Sequence, residues 1–201
     1  MKFTLSWLRD HLETKASLGE ICDKLPMLGL EVESVQDREK DLSDFIVGYV
    51  EEAQQHPNAD RLKLCLVDIG AEKVQVVCGA PNARVGIKGV FAPPGAIIPS
   101  SGDILKKGVI RGEESNGMLC SEREMGVSDE HEGIIELDPS AEIGASYATL
   151  AGLDDPVIDI AITPDRADCL GVRGIARDLA AAGLGALKPL DTSPVKGTFK
   201  S

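Results

Sequence analysis

Apolar residues recur along this chain at two different spacings, and the spacing changes twice. In the first 35 residues it is helical, then alternating. Ser6 precedes Trp7, Leu8 and Leu12, the stripe of a short amphipathic helix. Ser17 precedes Leu18, Ile21, Cys22 and Leu25, the stripe of a second helix that Pro26 should stop. Gly29 to Val35 alternates apolar with polar and predicts a strand. From about Asp41 the runs become short and β-branched: Phe45–Val50, Leu62–Ile69, Val74–Cys78, Val90–Ala92, Ile104–Ile110 and a late Gly133–Leu137. Turn-rich segments separate them, among them His56-Pro57-Asn58-Ala59-Asp60, Gly79-Ala80-Pro81-Asn82 and Pro93-Pro94-Gly95. After Leu153 the pattern shifts again. Val157–Ile162 alternates as a strand, Thr163–Asp168 offers several caps, and Val172, Ile175, Ala176, Leu179 and Ala180 recur at helical spacing until Gly183 and Gly185.

Five short strands in about a hundred residues predict a small β-barrel, with an OB-fold as the leading candidate. Composition fits a globular chain: 201 residues, 43% hydrophobic and 27% charged. No apolar run approaches the ~20 residues needed to cross a bilayer, and Arg9 and Asp10 arrive too early for a secretory signal. The five cysteines form no C-x-x-C pair, so reduced thiols are expected, not a disulfide framework or a structural zinc site.

A net charge of -12 argues against a general polyanion binder but leaves room for a local one. Residues 1–39, 40–150 and 151–201 carry -3, -8 and -1. Within the middle region the signs segregate. Arg84, Lys88, Lys106, Lys107 and Arg111 face only Asp103, whereas Glu113 to Glu142 holds ten acids and one base, Arg123. Such a patch can steer an anionic partner; a solvated face of mixed charge is the plainer alternative.

Catalytic signatures are missing. There is no phosphate loop, dinucleotide turn or nucleophile elbow, and His11, His56 and His131 stand apart from one another. His56, before Pro57, reads as a turn residue, and Cys120, after Met118 and Leu119, as a buried thiol. Glu113-Glu114 and Asp154-Asp155 read as solvated charge. No catalytic and no metal-ligating residue is assigned.

Longer motifs say more. Met1-Lys2-Phe3-Thr4-Leu5-Ser6-Trp7-Leu8, Gly29-Leu30-Glu31-Val32-Glu33, His56 to Leu62, Val77 to Asn82, Arg111-Gly112 through Ser115-Asn116-Gly117-Met118-Leu119-Cys120-Ser121-Glu122, and Thr163 to Cys169 occur in this order. Together they resemble the opening of bacterial phenylalanine–tRNA ligase β subunits over nearly all of residues 1–185. The resemblance implies an α+β/β fold: an OB-fold tRNA-binding barrel at 40–150, inserted in a small discontinuous α/β domain of 1–39 plus 151–190. Residues 191–201 would be a linker to further domains, making the chain an inactive N-terminal fragment. It implies an aminoacyl-tRNA synthetase of cytoplasmic protein biosynthesis. That enzyme, two α and two β subunits, joins phenylalanine to tRNA with ATP and magnesium. The family's magnesium ligands match no position here. By the same resemblance the tRNA-binding residues would be Asn82, Arg84, Lys88, Lys106, Lys107, Arg111, Ser115, Asn116, Gly117 and Met118, the lysines and Arg111 lining one barrel face.

Two alternatives stay open: a free-standing OB-fold tRNA-binding module, or an assembly module whose acidic stretch meets a basic partner. Aromatics are 3% of the chain, with only Phe45, Tyr49, Phe91 and Tyr147 in the middle region. Shape and phosphate recognition is therefore expected over base stacking. Each flank is too short to bury a core alone. Trp7, Leu12, Leu25 and Val32 should pack against Ile158, Ile160, Ile175 and Leu179.

Overall fold

In the computed structural model, which describes residues 1–194 and 197, the opening segment forms strand β1 (Lys2–Thr4), helix α1 (Leu5–His11), β2 (Leu12–Glu13), α2 (Leu18–Met27) and β3 (Val32–Gln36). Thr4, not Ser6, caps α1: its Oγ1 accepts the Trp7 N–H at 3.2 Å. Ser6 lies in the first turn, where its N–H donates to Asp155 Oδ1 at 2.9 Å. Ser17 caps α2 as expected and forms a capping box with Glu20, whose Oε2 accepts the Ser17 N–H at 2.8 Å. The helix runs through Pro26 to Met27, one residue beyond the expected stop. It closes in a Schellman arrangement, Leu30 N–H to Leu25 O and Gly29 N–H to Pro26 O, both at 3.0 Å.

The middle region contains α3 (Arg38–Asp41), β4 (Ile46–Gln55), β5 (Lys63–Asp68), β6 (Lys73–Cys78), β7 (Lys88–Ala92), β8 (Gly108–Ile110), β9 (Glu113–Ser115), β10 (Met118–Leu119), β11 (Glu136–Leu137) and α4 (Tyr147–Leu150). One antiparallel sheet runs β10-β7-β4-β5-β6, with β11 also on β7. Its two ends meet. Asn116 N–H donates to Gln75 O at 2.9 Å, and Val77 N–H to Ser115 Oγ at 3.1 Å, joining β6 to the segment that enters β10. This nearly closed barrel is an OB-fold. Alternation along β4 to β7 fills its interior with Val50, Cys65, Val67, Val76 and Phe91, and Ile134, just before β11, joins them. A second cluster holds Phe45, Val90, Cys120, Met125 and Tyr147.

The strand expected over Ile104–Ile110 shortens to β8. Among the described residues its only ladder partner is β9, so Val109, at 69% exposure, decorates a two-stranded ribbon instead of filling a core. Ile104 makes a single bridge to Ile97.

The closing segment adds β12 (Val157–Ile160), a 3-10 turn (Ala167–Cys169), α5 (Val172–Ala181) and β13 (Ala186–Leu187). β12 lies between β1 and β3, antiparallel to both, and β13 pairs with β2. Phe3, Leu8, Leu12, Ile21, Leu25, Ile158, Ile160, Ile175 and Leu179 share one core. Trp7, expected there, is 46% exposed; Leu5, Leu8 and Leu12 form the inward stripe of α1 and its C-cap, and Trp7 falls off it. The caps expected in Thr163–Asp168 do not cap α5, whose N-cap is Gly171. By contact density the chain divides into Met1–Asp37 with Asp155–Ser201, and Arg38–Asp154. The linker expected over 191–201 lies largely outside the described residues. Among the described residues no helix is long and apolar enough to cross a membrane.

Candidate nucleic-acid interface

The ten residues singled out by sequence separate into three groups with different partners. The first is Asn82, Arg84 and Lys88. Asn82, in the turn after β6, donates from Nδ2 to Ile134 O at 2.9 Å, while its Oδ1 accepts the Ile134 N–H at 3.0 Å. Arg84 grips Glu136 with both guanidinium nitrogens at 2.8 Å. Hydrogen bonds from Arg84, then Asn82, hold the Glu136 carboxyl below the usual carboxylate range. Lys88, on β7, donates from Nζ to Pro139 O and Ala141 O, both at 2.6 Å. These side chains fasten the segment 134–141 to the barrel. Lys88 does not join Lys106, Lys107 and Arg111 as a free cation, because two carbonyls already hold its ammonium.

The second group is Lys106, Lys107 and Arg111, on the arm that leads into and caps the β8–β9 ribbon. All three are exposed, and among the described residues none is in an ion pair. Glu113 and Glu114 lie on the partner strand, opposite Ile110 and Val109, so the arm is a small positive edge beside two acids.

Ser115, Asn116, Gly117 and Met118 form the third group. Ser115 Oγ, buried, accepts from Val77 N–H and donates to Gly117 O at 3.0 Å. Gly117, at φ +149°, leaves no room for a side chain: a Cβ would sit 2.4 Å from Phe91 Cε2. Ser115 and Gly117 therefore build the barrel seam. Asn116 lines a depression of about 350 Å³ with Lys73, Gln75, Pro94 and Lys107. Met118, half-buried on β10, lines a cavity of about 520 Å³ with Ser100, Ser121, Arg123 and His131. Sequence reasoning missed Lys73 and His131 because they arrive from segments remote from Asn116 and Met118, and Arg123 because only the turn after β10 brings it to the cavity.

The aromatic residues of the barrel give no stacking platform: Phe45, Phe91 and Tyr147 are buried and Tyr49 is half-buried. Nor do the thiols offer a nucleophile. All five cysteines are free; burial pushes Cys65 up to about 11 and also raises Cys120. Asp168, Cys169 and Asp178 converge at metal-ligand spacing in the split unit. Their charge is already met. Arg166 and Arg177 each bond both carboxylates, and hydrogen bonds from Arg177, then Arg166, hold Asp168 at about 2. Such a donor set does not suit magnesium or another hard cation, and no step is assigned to one here.

Comparison with known proteins joins these observations. Residues 45–146, essentially the barrel, match the family described as "Putative tRNA binding domain". Over 201 residues the chain is 57% identical to the phenylalanine–tRNA ligase beta subunit of Paramagnetospirillum magneticum and 57% identical to that of Rhodospirillum rubrum. Over 208 aligned residues it is 59% identical to that of Cereibacter sphaeroides. All of the chain is covered in each case, but only 25%, 25% and 26% of the respective relatives. The chain thus belongs to the tRNA-binding domain family, and it matches the N-terminal quarter of phenylalanine–tRNA ligase β subunits.

Proposed function

We propose that this chain is the tRNA-binding and structural N-terminal segment of a phenylalanine–tRNA ligase β subunit. In that enzyme it would work with an α subunit, two of each, to attach phenylalanine to its tRNA in the cytoplasm. ATP and magnesium serve that parent reaction, and its chemistry lies outside the groups described above. The observation that carries the reading is the extent of the identity. The family match accounts for residues 45–146, while the alignment at 57% overall identity covers all 201 residues, both flanks included. A free-standing barrel module would leave those flanks unexplained.

The chemistry of the surface supports phosphate and shape recognition. Lys106, Lys107 and Arg111 are free to meet phosphates, and the four aromatic residues of the barrel are buried or half-buried. Residues 40–150 carry a net -8, so binding by the isolated chain is weak and strongly salt-dependent. The test is a fluorescence-anisotropy titration of labelled tRNA between about 50 and about 200 mM salt. Three neutralised phosphates give a slope of log affinity against log salt of about -2 to -3. Absence of binding at the lowest salt, or a slope near zero, rejects the proposal.

A further inference from the structure

The β8–β9 ribbon ends in a turn whose sequence is at odds with its geometry. Its register pairs Ile110 with Glu113, leaving Arg111 and Gly112 as a two-residue loop. Their φ angles are +50° and +96°, the left-handed pattern of a type I′ hairpin. That turn favours Asn-Gly, because asparagine tolerates the first position and glycine the second. Here the first position holds arginine, the only non-glycine residue with positive φ among the described residues. A long side chain in this conformation costs stability, which the surroundings must hold in place.

They do so through the His56–Leu62 loop, whose motif the function proposed above leaves unused. His56, only 2% exposed, accepts the Asn58 N–H on Nδ1 at 3.0 Å. That assigns its proton to Nε2, which donates to Ile110 O at 3.0 Å. Asn58 Nδ2 donates to Arg111 O at 3.2 Å. The loop is itself braced, with His56 N–H on Leu62 O at 3.0 Å and Gln55 Nε2 on Ala59 O at 2.8 Å. Two successive carbonyls of the turn are thus pinned to the His56–Leu62 loop, while the Arg111 side chain is exposed and, among the described residues, in no ion pair. Lys106 and Lys107 approach from the other end of the arm. Glu114 shares a hollow of about 340 Å³ with Lys107, and Arg111 stands exposed at the tip.

We propose that the Ile110–Gly112 turn is a preorganised phosphate-binding tip for tRNA, with Arg111 making the contact and His56 and Asn58 as positioning residues. The inference rests on the tRNA reading above. A purely structural turn would be better served by asparagine, so the two roles separate on substitution.

The experiment measures melting temperature and tRNA affinity across salt for the whole chain and three variants. Arg111→Asn should raise the melting temperature by about 2 °C, since the turn gains its preferred residue. It should also weaken tRNA binding several-fold and make the salt slope shallower by about 0.7 to 1. Arg111→Lys keeps the charge and should keep the slope. Asn58→Ala leaves every cation in place, so it should lower affinity with an unchanged slope, the signature of lost positioning. A lower melting temperature in Arg111→Asn, or an unaltered slope, overturns the tip assignment. Full affinity in Asn58→Ala overturns the positioning role. A wild-type chain that binds no tRNA rejects the underlying function, and this inference with it, before any variant is made.

Discussion

Arg84 and Lys88 carry the same charges as Arg111 and Lys107 and lie in the same barrel unit, yet their surroundings differ completely. Arg84 meets Glu136 through two hydrogen bonds, and Lys88 is held by the carbonyls of Pro139 and Ala141. Among the described residues Lys106, Lys107 and Arg111 have no such partners, and they lie exposed at the entry and the tip of the β8–β9 ribbon. A cation is available to a phosphate only when the fold has not already answered its charge. Counting basic residues along a sequence merges these cases; the partners separate them.

The comparison can be broken most sharply at the arm. Lys106→Glu with Lys107→Glu should weaken tRNA binding by more than about tenfold at low salt. The melting temperature should move by no more than about 1 °C, because both side chains are exposed. A double variant that binds normally would show that the arm is not the contact surface.

Lys88→Met should act the opposite way. Removing the donor from the Ala141 carbonyl, on a buried residue, costs about 1–3 kcal/mol in denaturant unfolding. The salt slope of tRNA binding should remain that of the wild type. A stable variant with a shallower slope would move Lys88 into the binding group.

Asp168 extends the comparison to the split unit, where arginines are again paired. Its carboxyl, held at about 2 in the fold by Arg177 and Arg166, contributes stability above the ordinary carboxylate value of 3.8. That contribution is lost as pH falls from about 4 to about 2. Over this window the wild-type melting temperature should fall more steeply than that of Asp168→Asn. Parallel curves would contradict the pairing.

The smallest effect belongs to Arg84→Gln. Its ion pair with Glu136 is largely exposed, with side-chain exposures of 57% and 41%, so solvent screens it and the unfolding midpoint should barely move. Chemical denaturation checks this, and a larger loss would mean that the 134–141 segment depends on that pair.

Legibility in the sequence follows the same physics. β4 to β7 were readable because their apolar residues alternate against one core, and the flanking helices because their stripes have helical period. β9 and β10 were not: Glu113-Glu114-Ser115 and Met118-Leu119 have no strand pattern. They are ordered by Gln75, Val77 and Ala92 across the seam. β1 and β13, three and two residues long, exist through long-range pairing with β12 and β2. Trp7 misled because a bulky apolar residue near a helix start need not lie on the buried stripe. Among the candidate residues, Asn82 holds Ile134 through both ends of its amide, a partner 52 residues away that no local pattern shows. The contacts of Lys88 were not legible because its carbonyl partners lie 51 and 53 residues away. The left-handed backbone of Arg111 was hidden for a related reason: only the pairing of Ile110 with Glu113 defines the turn.

The central claim is that tRNA phosphates meet the arm and not the Arg84–Lys88 edge. The measurement that tests it most directly is the salt slope of tRNA binding in two neutralised variants, Lys106→Gln with Lys107→Gln, and Arg84→Gln with Lys88→Gln. The account predicts a slope shallower by about 1.5 to 2 in the first pair and an unchanged slope in the second. An unchanged slope in the first pair, with a shallower one in the second, would contradict it.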